Sequence, residues 1–219
     1  MSDPNTPGTT CVVVRTGTAN IASVCAALVR AGVEPVVDDD PDAVERAPLV
    51  VLPGVGSFGA ARDALDARGL AAIIRSRVLD GRPTFGICLG FQVLFAWSEE
   101  SPGVPGLGVF EEAVRRFTPG GGVRVPQMGW NRVEASEGCV VLRSGSAYFA
   151  NAYRVRANAM LGDAWQAATA THGETFLAGI EGFSGRVVAC QGHPELSGAW
   201  GRGVLERWVL ASRSGVKPC

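Results

Sequence analysis

Apolar residues occur in short continuous runs along the first half of the chain, and stretches with helical spacing lie between these runs. The apolar runs predict buried strands at residues 11–14, 34–37, 49–52 and 84–87. The helical spacing predicts helices at residues 20–31, 58–67 and 70–79. Because strands that alternate with helices pair in parallel, this half predicts a parallel sheet with helices on both faces.

Shorter apolar runs, separated by glycine and serine turns, fill the second half of the chain. They predict strands at residues 109–117, 131–134, 140–142, 147–153, 165–171, 175–180 and 186–191. Such spacing is typical of antiparallel strands added to a sheet. A last helix is predicted after the cap Ser197, with Trp200, Val204 and Trp208 facing the core. The predicted fold class is therefore α/β, an open and mostly parallel sheet flanked by helices, with an antiparallel extension.

Length and composition fit one globular domain. The chain has 219 residues, 47% of them hydrophobic, and a net charge of -1. This length allows a stable core, and the charge offers no electrostatic footprint for nucleic acid or an anionic membrane. No apolar stretch reaches the length of a membrane span, and no secretory signal is recognised. We expect a disordered tail at residues 1–10, one domain at 11–211 and a second tail at 212–219.

The cysteines form no metal-binding pattern. None is spaced C-x-x-C and no histidine cluster accompanies them, so we expect no metal and no cofactor. Four of them lie in apolar strand-like runs or in a helix-like run and are predicted to be buried thiols: Cys11, Cys25, Cys139 and Cys190. Such thiols indicate a reducing compartment, and we expect a cytoplasmic location.

The strongest chemical signal is the segment Gly86-Ile87-Cys88-Leu89-Gly90, which is followed by residues 91–97 with helical spacing. This is the cysteine form of the nucleophile elbow, in which side chains at the two glycine positions would collide with backbone. A helix N-terminus favours the anionic form of a thiol, and the Leu89 N–H can donate to an oxyanion. A chance match around a buried, inert Cys88 is the alternative.

His193-Pro194-Glu195 provides the other members of a catalytic triad. The chain has only two histidines, and this one follows a predicted buried strand. Pro194 biases His193 to extended geometry, and the carboxylate of Glu195 lies two residues further along. With the elbow, this arrangement predicts a Cys–His–Glu triad. Taken separately, His193 could be a satisfied strand-end histidine and Glu195 a solvated acid.

Pro53-Gly54-Val55-Gly56 follows the predicted strand at residues 49–52. In open α/β sheets, ligands bind at the carboxyl ends of the strands. We therefore predict that Gly54 and Val55 supply the second oxyanion donor. A phosphate-binding loop is the alternative, although neither G-x-x-x-x-G-K-[ST] nor G-x-G-x-x-G is present.

Three segments of the chain, taken in order, resemble the motifs of class-I (triad-type) glutamine amidotransferases: P-G-V-G, G-I-C-L-G-F-Q and H-P-E. The resemblance extends across residues 11–211. Two further segments are similar to the glutaminase subunits of imidazole glycerol phosphate synthases. They are P-Q-M-G-W-N at residues 126–131 and A-Y-F-A-N-A-Y at residues 147–153. The resemblance implies a flavodoxin-like fold and hydrolysis of L-glutamine to glutamate and ammonia through a cysteine thioester. It also implies a heterodimer that passes ammonia to a (β/α)8-barrel cyclase subunit in histidine biosynthesis.

The resemblance also assigns residues. It makes Cys88 the nucleophile, His193 the general base and acid, and Glu195 the group that orients His193. It places Gly54, Val55 and Leu89 in the oxyanion region. It implies substrate contacts at Gln92, Glu100, Ala152 and Tyr153. It implies partner contacts at Asn20, Gln127, Met128 and Trp130.

Several positions depart from the family's usual motifs, and four of them bear on the partner or the site. The usual P-H-M-G-W-N has Gln127 in place of its histidine, and the usual F-V-H-S-Y has Asn151 in place of its histidine. In the usual Q-F-H-P-E-K-S, Gly192 replaces an aromatic residue and Leu196 replaces a lysine. A paralogue that feeds a different synthase, in nucleotide-sugar or secondary metabolism, therefore stays open. So do a non-catalytic binding subunit and a stand-alone cysteine hydrolase.

Overall fold

The computed structural model describes residues 9–15, 20–54, 56–120 and 122–213 of the chain. Of the tails predicted at residues 1–10 and 212–219, residues 1–8 and 214–219 lie outside the described residues. The first strand begins at Thr9 and the last helix ends at Arg213. Regular structure therefore extends two residues past each predicted tail boundary.

The elements alternate between strands and helices in the first half and are mostly strands in the second. The strands are β1 Thr9–Val14, β2 Val33–Asp38, β3 Leu49–Leu52, β4 Thr84–Ile87, β5 Phe95–Ser98, β6 Phe110–Arg116, β7 Gln127–Ala135, β8 Gly145–Asn151, β9 Tyr153–Val155, β10 Trp165–His172, β11 Glu174–Gly182 and β12 Val187–Cys190. The helices are α1 Ile21–Arg30, α2 Pro41–Arg46, α3 Phe58–Asp66, α4 Leu70–Leu79, α5 Leu89–Gln92 and α6 Gly198–Arg213. In the described part of the chain, none of these helices has the length and apolar character that a bilayer span requires.

Within the described residues, nine strands form one sheet in the order β2-β1-β3-β4-β12-β11-β10-β7-β8. The strands from β2 to β12 in this order pair in parallel, and the later neighbours pair antiparallel. The predicted α/β class with an antiparallel extension is confirmed. A separate sheet in the order β5-β6-β9 was not predicted.

Apolar side chains cover both faces of the parallel strands. In β1, Cys11 and Val13 pack with residues of α1 and α6, whereas Val12 and Val14 pack with residues of α3 and α4. This alternation explains why the strand is a continuous apolar run, since both of its faces are buried. Of the four thiols predicted to be buried, Cys25 on α1 is only half-buried.

The helix predicted after Cys88 is wrong in its extent. α5 has a single turn, and the chain then continues as β5. The carbonyls of Val93, Leu94 and Ala96 accept instead from the N–H groups of Leu107, Val109 and Gly106 at 2.7–2.8 Å. A distant loop therefore takes the acceptors that a longer helix would have used.

The strand predicted at residues 140–142 is also wrong. The carboxylate of Glu181, which is 2% exposed, accepts from the N–H groups of Val140, Val141 and Leu142. These amide groups are thereby satisfied without a neighbouring strand. The apolar run is buried as a loop around a carboxylate that comes from β11.

The parallel strands β3, β4 and β12 are adjacent, and their carboxyl ends meet at one edge of the sheet. Pro53-Gly54 follows β3, Cys88 follows β4, and the segment from Gln191 to Glu195 follows β12. The fold therefore brings the three predicted motifs to one place.

Candidate active site

Cys88 stands on a sharp turn between β4 and α5. Its backbone φ is +52°, in the left-handed region, and its N–H donates to the carbonyl of Cys190 at 2.8 Å. A Cβ added at Gly86 would lie 2.7 Å from the carbonyl oxygen of Gly90, and one added at Gly90 would overlap the carbonyl oxygen of Leu52. The two glycines therefore make this strained turn possible.

His193 and Glu195 form a buried pair beside Cys88. Nδ1 of His193 lies 2.9 Å from Oε1 of Glu195, and the two side chains are 8% and 4% exposed. Burial alone lowers the pKa of His193, but hydrogen bonds with Cys88 and Glu195 outweigh this effect and raise it to about 10. The imidazole is therefore held protonated beside the sulfur, where it can give a proton to a leaving amine.

Ser197 anchors the histidine segment. Its hydroxyl donates to the carbonyl of His193 at 2.6 Å and accepts from the N–H of Tyr148 at 2.9 Å. The N–H of His193 also donates to the carbonyl of Tyr148 at 2.9 Å. The hydroxyl of Ser197 thus ties the histidine segment to β8, rather than serving as the predicted cap of α6.

A chain of side-chain amides reaches the sulfur, and sequence analysis missed its central member, Gln191. Nε2 of this fully buried residue donates to Sγ of Cys88 at 3.6 Å, and its Oε1 accepts from Nε2 of Gln92 at 2.8 Å. Nε2 of Gln92 also donates to the carbonyl of Tyr153 at 3.1 Å. The position of Gln191 at the end of a buried strand, two residues before His193, was a sequence signal for this role.

A cavity of about 320 Å³ opens above Cys88 and His193. The four predicted substrate contacts line this cavity: Gln92, Glu100, Ala152 and Tyr153. Its volume lies within the range of small-molecule sites, about 300–1,000 Å³. Asn20, a predicted partner contact, also lines the cavity, and its side chain caps α1 by accepting from Ser23 N at 3.3 Å.

Glu100 is fixed at the N-terminus of α3. Its Oε2 accepts from the N–H of Phe58 at 2.6 Å, and a helix N-terminus stabilises a carboxylate. Its neighbour Glu99 pairs instead with Arg115 at 2.9 Å. Of the two adjacent acids, Glu100 is therefore the one that the fold holds at the cavity wall.

The predicted oxyanion donor at Leu89 is already engaged. Its N–H donates to the carbonyl oxygen of Gly54 at 3.4 Å. The backbone at Gly54 approaches the elbow so closely that a Cβ there would lie 2.8 Å from the nitrogen of Gly90. Val55, the other predicted donor, lies outside the described residues. We therefore expect the Leu89 N–H to serve a substrate only after the Gly54 carbonyl moves away.

The residues of β7 that were predicted to contact a partner differ in exposure. Met128 and Trp130 are 64% and 61% exposed. Gln127 is 4% exposed, because neighbouring residues of a strand point to opposite faces. Its side chain is therefore buried in the single chain, and a direct partner contact at Gln127 stays a prediction.

Gln127 and Asn151 lie directly opposite each other on β7 and β8. Both side chains are buried, and Oε1 of Gln127 and Oδ1 of Asn151 have no hydrogen-bond partner among the described residues. Opposite residues of antiparallel strands have Cβ atoms about 5 Å apart. Gln127 and Asn151, which replace the two histidines of the usual motifs, are therefore neighbours in the sheet.

Known proteins resemble the chain along most of its length. The family described as glutamine amidotransferase class-I matches residues 12–211. A Synechococcus sp. (strain CC9902) protein named imidazole glycerol phosphate synthase subunit HisH is 37% identical over 210 residues, covering 94% of this chain and 96% of that protein. The chloroplastic imidazole glycerol phosphate synthase hisHF of Arabidopsis thaliana is 36% identical over 196 residues, covering 88% of this chain and 33% of that protein. The crystal structure of a glutamine amidotransferase has a TM-score of 0.71 and 24% identity, covering 94% of this chain and all of that one.

Proposed function

The chain belongs to the class-I glutamine amidotransferase family, and we propose that it is the glutaminase subunit of an imidazole glycerol phosphate synthase in histidine biosynthesis. The observation that carries the proposal is the buried His193–Glu195 pair, 2.9 Å apart, in the same cavity as Cys88 on its elbow. Full-length relatives that carry this name support the choice of synthase.

The first half of the reaction releases ammonia. The sulfur of Cys88 attacks the carboxamide carbon of glutamine, a C–S bond forms, and the carbonyl oxygen takes the negative charge. His193 then gives its proton to the amide nitrogen, and the C–N bond breaks. Glu195 keeps the imidazole oriented and stabilises its protonated form. Ammonia leaves, and a γ-glutamyl thioester remains on Cys88.

The second half restores the enzyme. Neutral His193 takes a proton from water while the water oxygen attacks the thioester carbon. The C–S bond then breaks, the electron pair returns to the sulfur of Cys88, and the new carboxyl group loses its proton to solvent as glutamate. His193 is again protonated beside the sulfur, as in the resting structure.

The groups of the cavity wall that can still accept a hydrogen bond indicate how the substrate is held. The two amide hydrogens of Gln92 are used by Tyr153 and Gln191, so this side chain offers its oxygen to a ligand. Glu100 places a carboxylate on the cavity wall with one oxygen bound to α3. Both groups accept hydrogen bonds, and both therefore suit the α-ammonium group of glutamine.

The ammonia requires a second subunit that consumes it. The relatives' names describe them as synthase subunits, and the match covers only a third of the longer plant hisHF protein. We infer that the partner is a separate (β/α)8-barrel cyclase, in a heterodimer, and that it docks on Met128, Trp130 and Leu196. Leu196 is 42% exposed and lines the cavity of Cys88, so ammonia would leave beneath the docked partner. We place the complex in the cytoplasm, as the unpaired thiols of the described residues favour.

A second candidate is a paralogue with the same glutaminase chemistry and a different synthase, in nucleotide-sugar or secondary metabolism. The observation that favours it is the exposed Leu196, which stands where the usual motif has a lysine. An apolar side chain cannot form an ion pair with a partner, so a partner matched to this face would differ from the usual cyclase.

Co-purification with the cyclase subunit from the same genome separates the two candidates. If the chain belongs to imidazole glycerol phosphate synthase, the two proteins co-elute as a heterodimer and form imidazole glycerol phosphate with glutamine as nitrogen donor. Failure to bind this cyclase, together with capture of a different synthase from the native host, would support the paralogue instead.

A further inference from the structure

We propose that Gln191 is a positioning residue for the nucleophile, because its side-chain amide donates a hydrogen bond to the sulfur of Cys88. The inference rests on the proposed glutaminase function and adds a residue to it that the sequence motifs did not assign. It starts from one contact, in which Nε2 of Gln191 lies 3.6 Å from Sγ of Cys88.

The direction of this hydrogen bond follows from the far end of the amide chain. The backbone carbonyl of Tyr153 can only accept, so Gln92 must present its Nε2 to it. The second hydrogen of that Nε2 goes to Oε1 of Gln191 at 2.8 Å. The amide of Gln191 therefore has its oxygen toward Gln92 and its nitrogen toward the sulfur. Turning Gln191 over would place two donor groups against each other.

The backbone of Gln191 is held as firmly as its side chain. Its N–H donates to the carbonyl of Ala178 at 2.9 Å, and the preceding residue, Cys190, accepts from the N–H of Cys88 at 2.8 Å. Gln191 and Cys88 thus follow the ends of two paired strands, β12 and β4. Because Gln191 is fully buried, little water reaches its amide to compete for the sulfur.

The contact supports both halves of the reaction. A donated hydrogen bond stabilises a sulfur anion more than a neutral thiol or thioester. Gln191 therefore holds the sulfur in place for its attack on the substrate and stabilises the charge on the sulfur when the thioester breaks. As an uncharged amide, Gln191 supplies this bond at any pH at which the chain is folded.

Alkylation of Cys88 tests the inference without any need for glutamine. In the full-length chain at pH 7, Gln191→Met should slow the reaction of Cys88 with iodoacetamide about tenfold, the effect of losing one hydrogen bond to a charged group. Peptide mass spectrometry distinguishes Cys88 from the other cysteines. Gln166→Met is the matched control and should leave this rate unchanged. Gln166 lies on β10, accepts from the hydroxyl of Ser136 and is outside the cavity.

A second variant, Gln191→Glu, and a second measurement, the steady-state kinetics of the complex, complete the test. Gln191→Glu retains an acceptor for Gln92 but places a carboxylate where the donor was, so alkylation of Cys88 should slow further. In complex with the synthase, both variants should lower kcat for glutamine at least tenfold. Gln191→Glu, which keeps the acceptor for Gln92, should change KM less than about threefold, because the lost contact acts on the sulfur and not on substrate binding. If Gln191→Met does not fold, the rate measured for Gln191→Glu decides.

An alkylation rate within twofold of wild type in a folded Gln191 variant would overturn the inference. That result would leave the proposed function standing, since it concerns only the support of the sulfur. If instead the wild-type complex does not hydrolyse glutamine while alkylation still depends on Gln191, the proposed function fails and the positioning contact remains.

Discussion

In the proposed mechanism, His193 carries the proton that the leaving ammonia needs, and the surroundings of His193 decide how firmly that proton is held. Burial works against the charged imidazole, while Cys88 and Glu195 together more than offset it. The pair is nearly inaccessible to water, so these interactions are little screened. At the scale of single residues, the main feature of the site is therefore the imidazole of His193, whose proton is stabilised by the sulfur of Cys88 and the carboxylate of Glu195.

Glu195→Gln should be milder than His193→Ala. The amide can still orient the imidazole by one hydrogen bond, but it cannot stabilise the charged ring. We expect glutaminase kcat to fall by roughly 10- to 1,000-fold in Glu195→Gln, and further in His193→Ala. Steady-state assays with the synthase present measure both. Full activity in Glu195→Ala would show that Glu195 is not the third member of the triad.

The pair should also make stability depend on pH. The folded-state pKa of His193, about 10, lies above its ordinary value of 6.5. A raised pKa means tighter proton binding in the folded chain, so the stabilisation is complete below pH 6.5 and is lost as the pH rises through 10. The free energy of unfolding, measured in urea from pH 6 to pH 10, should fall across this window. Glu195→Gln should show a shallower fall, and an equal fall would mean that Glu195 does not hold this proton.

Arg77 shows how one side chain can join several elements. It is 1% exposed and donates to four backbone carbonyls, those of Val44, Glu45, Ala47 and Pro83. Three of these carbonyls lie at the C-terminal end of α2, and the fourth precedes β4. Burial, and next the charge of Arg82, lower the pKa of Arg77 to about 10, so the guanidinium is charged at neutral pH. It caps a short helix that the sequence did not predict.

Arg77→Lys should destabilise the fold, although it keeps the charge. A single ammonium group cannot reach acceptors on both sides of a planar guanidinium, and each buried carbonyl left without a donor costs about 1–3 kcal/mol. We expect the free energy of unfolding in urea to fall by about 2 kcal/mol or more. Arg75→Lys, on the exposed side of the same helix, is the control and should have almost no effect. Equal stability of the two variants would contradict this role.

Local patterns predicted two kinds of element well. These are helices, whose hydrogen bonds are local, and strands that are buried on both faces. The strand at Thr84–Ile87 and the helix at Leu70–Leu79 were predicted with their observed ends. The errors arose where distant groups took the backbone bonds, as Glu181 does at residues 140–142. Apolar runs show that a segment is buried, but not which part of the chain satisfies its amides.

In the candidate site, too, features set by the local sequence were predicted and features set by distant residues were missed. Cys88, His193 and Glu195 were proposed from short motifs, because a sharp elbow and an H-P-E turn constrain the local backbone. Gln191 was missed, since its role depends on a side chain 103 residues away in the sequence. The exposure of Trp130 and the burial of Gln127 depended on which face of β7 turned outward, which its sequence did not reveal.

At the scale of the whole molecule, the three residues of the proposed triad lie together, whereas the proposed oxyanion donor is occupied. The N–H of Leu89 is bound by the Gly54 carbonyl, so the charge of a tetrahedral intermediate would lack this donor. A partner that binds better to the open arrangement would shift the population toward it. We therefore predict that the synthase regulates the glutaminase by releasing the Leu89 N–H from the Gly54 carbonyl.

The chain alone should accordingly hydrolyse glutamine slowly, and the synthase with its bound substrate should stimulate it. Trp130→Ala should reduce this stimulation at least tenfold, as expected for an interface residue of this size, and lower the free energy of unfolding by less than about 1 kcal/mol. Trp97→Ala, a half-exposed tryptophan stacked on Arg115, is the control and should leave stimulation intact. Glutamine turnover by the single chain that equals that of the complex would refute this account.

The most direct test of the central claim uses Cys88→Ala in the complex with the synthase. The chain supplies ammonia and the partner uses it, so only the supply should be lost. Synthesis with glutamine should fall to background, whereas synthesis with an added ammonium salt should match that of the wild type. Cys139→Ala, a buried cysteine outside the cavity, should keep both activities. Equal loss of activity with glutamine and with ammonium would contradict the division of labour on which the account depends.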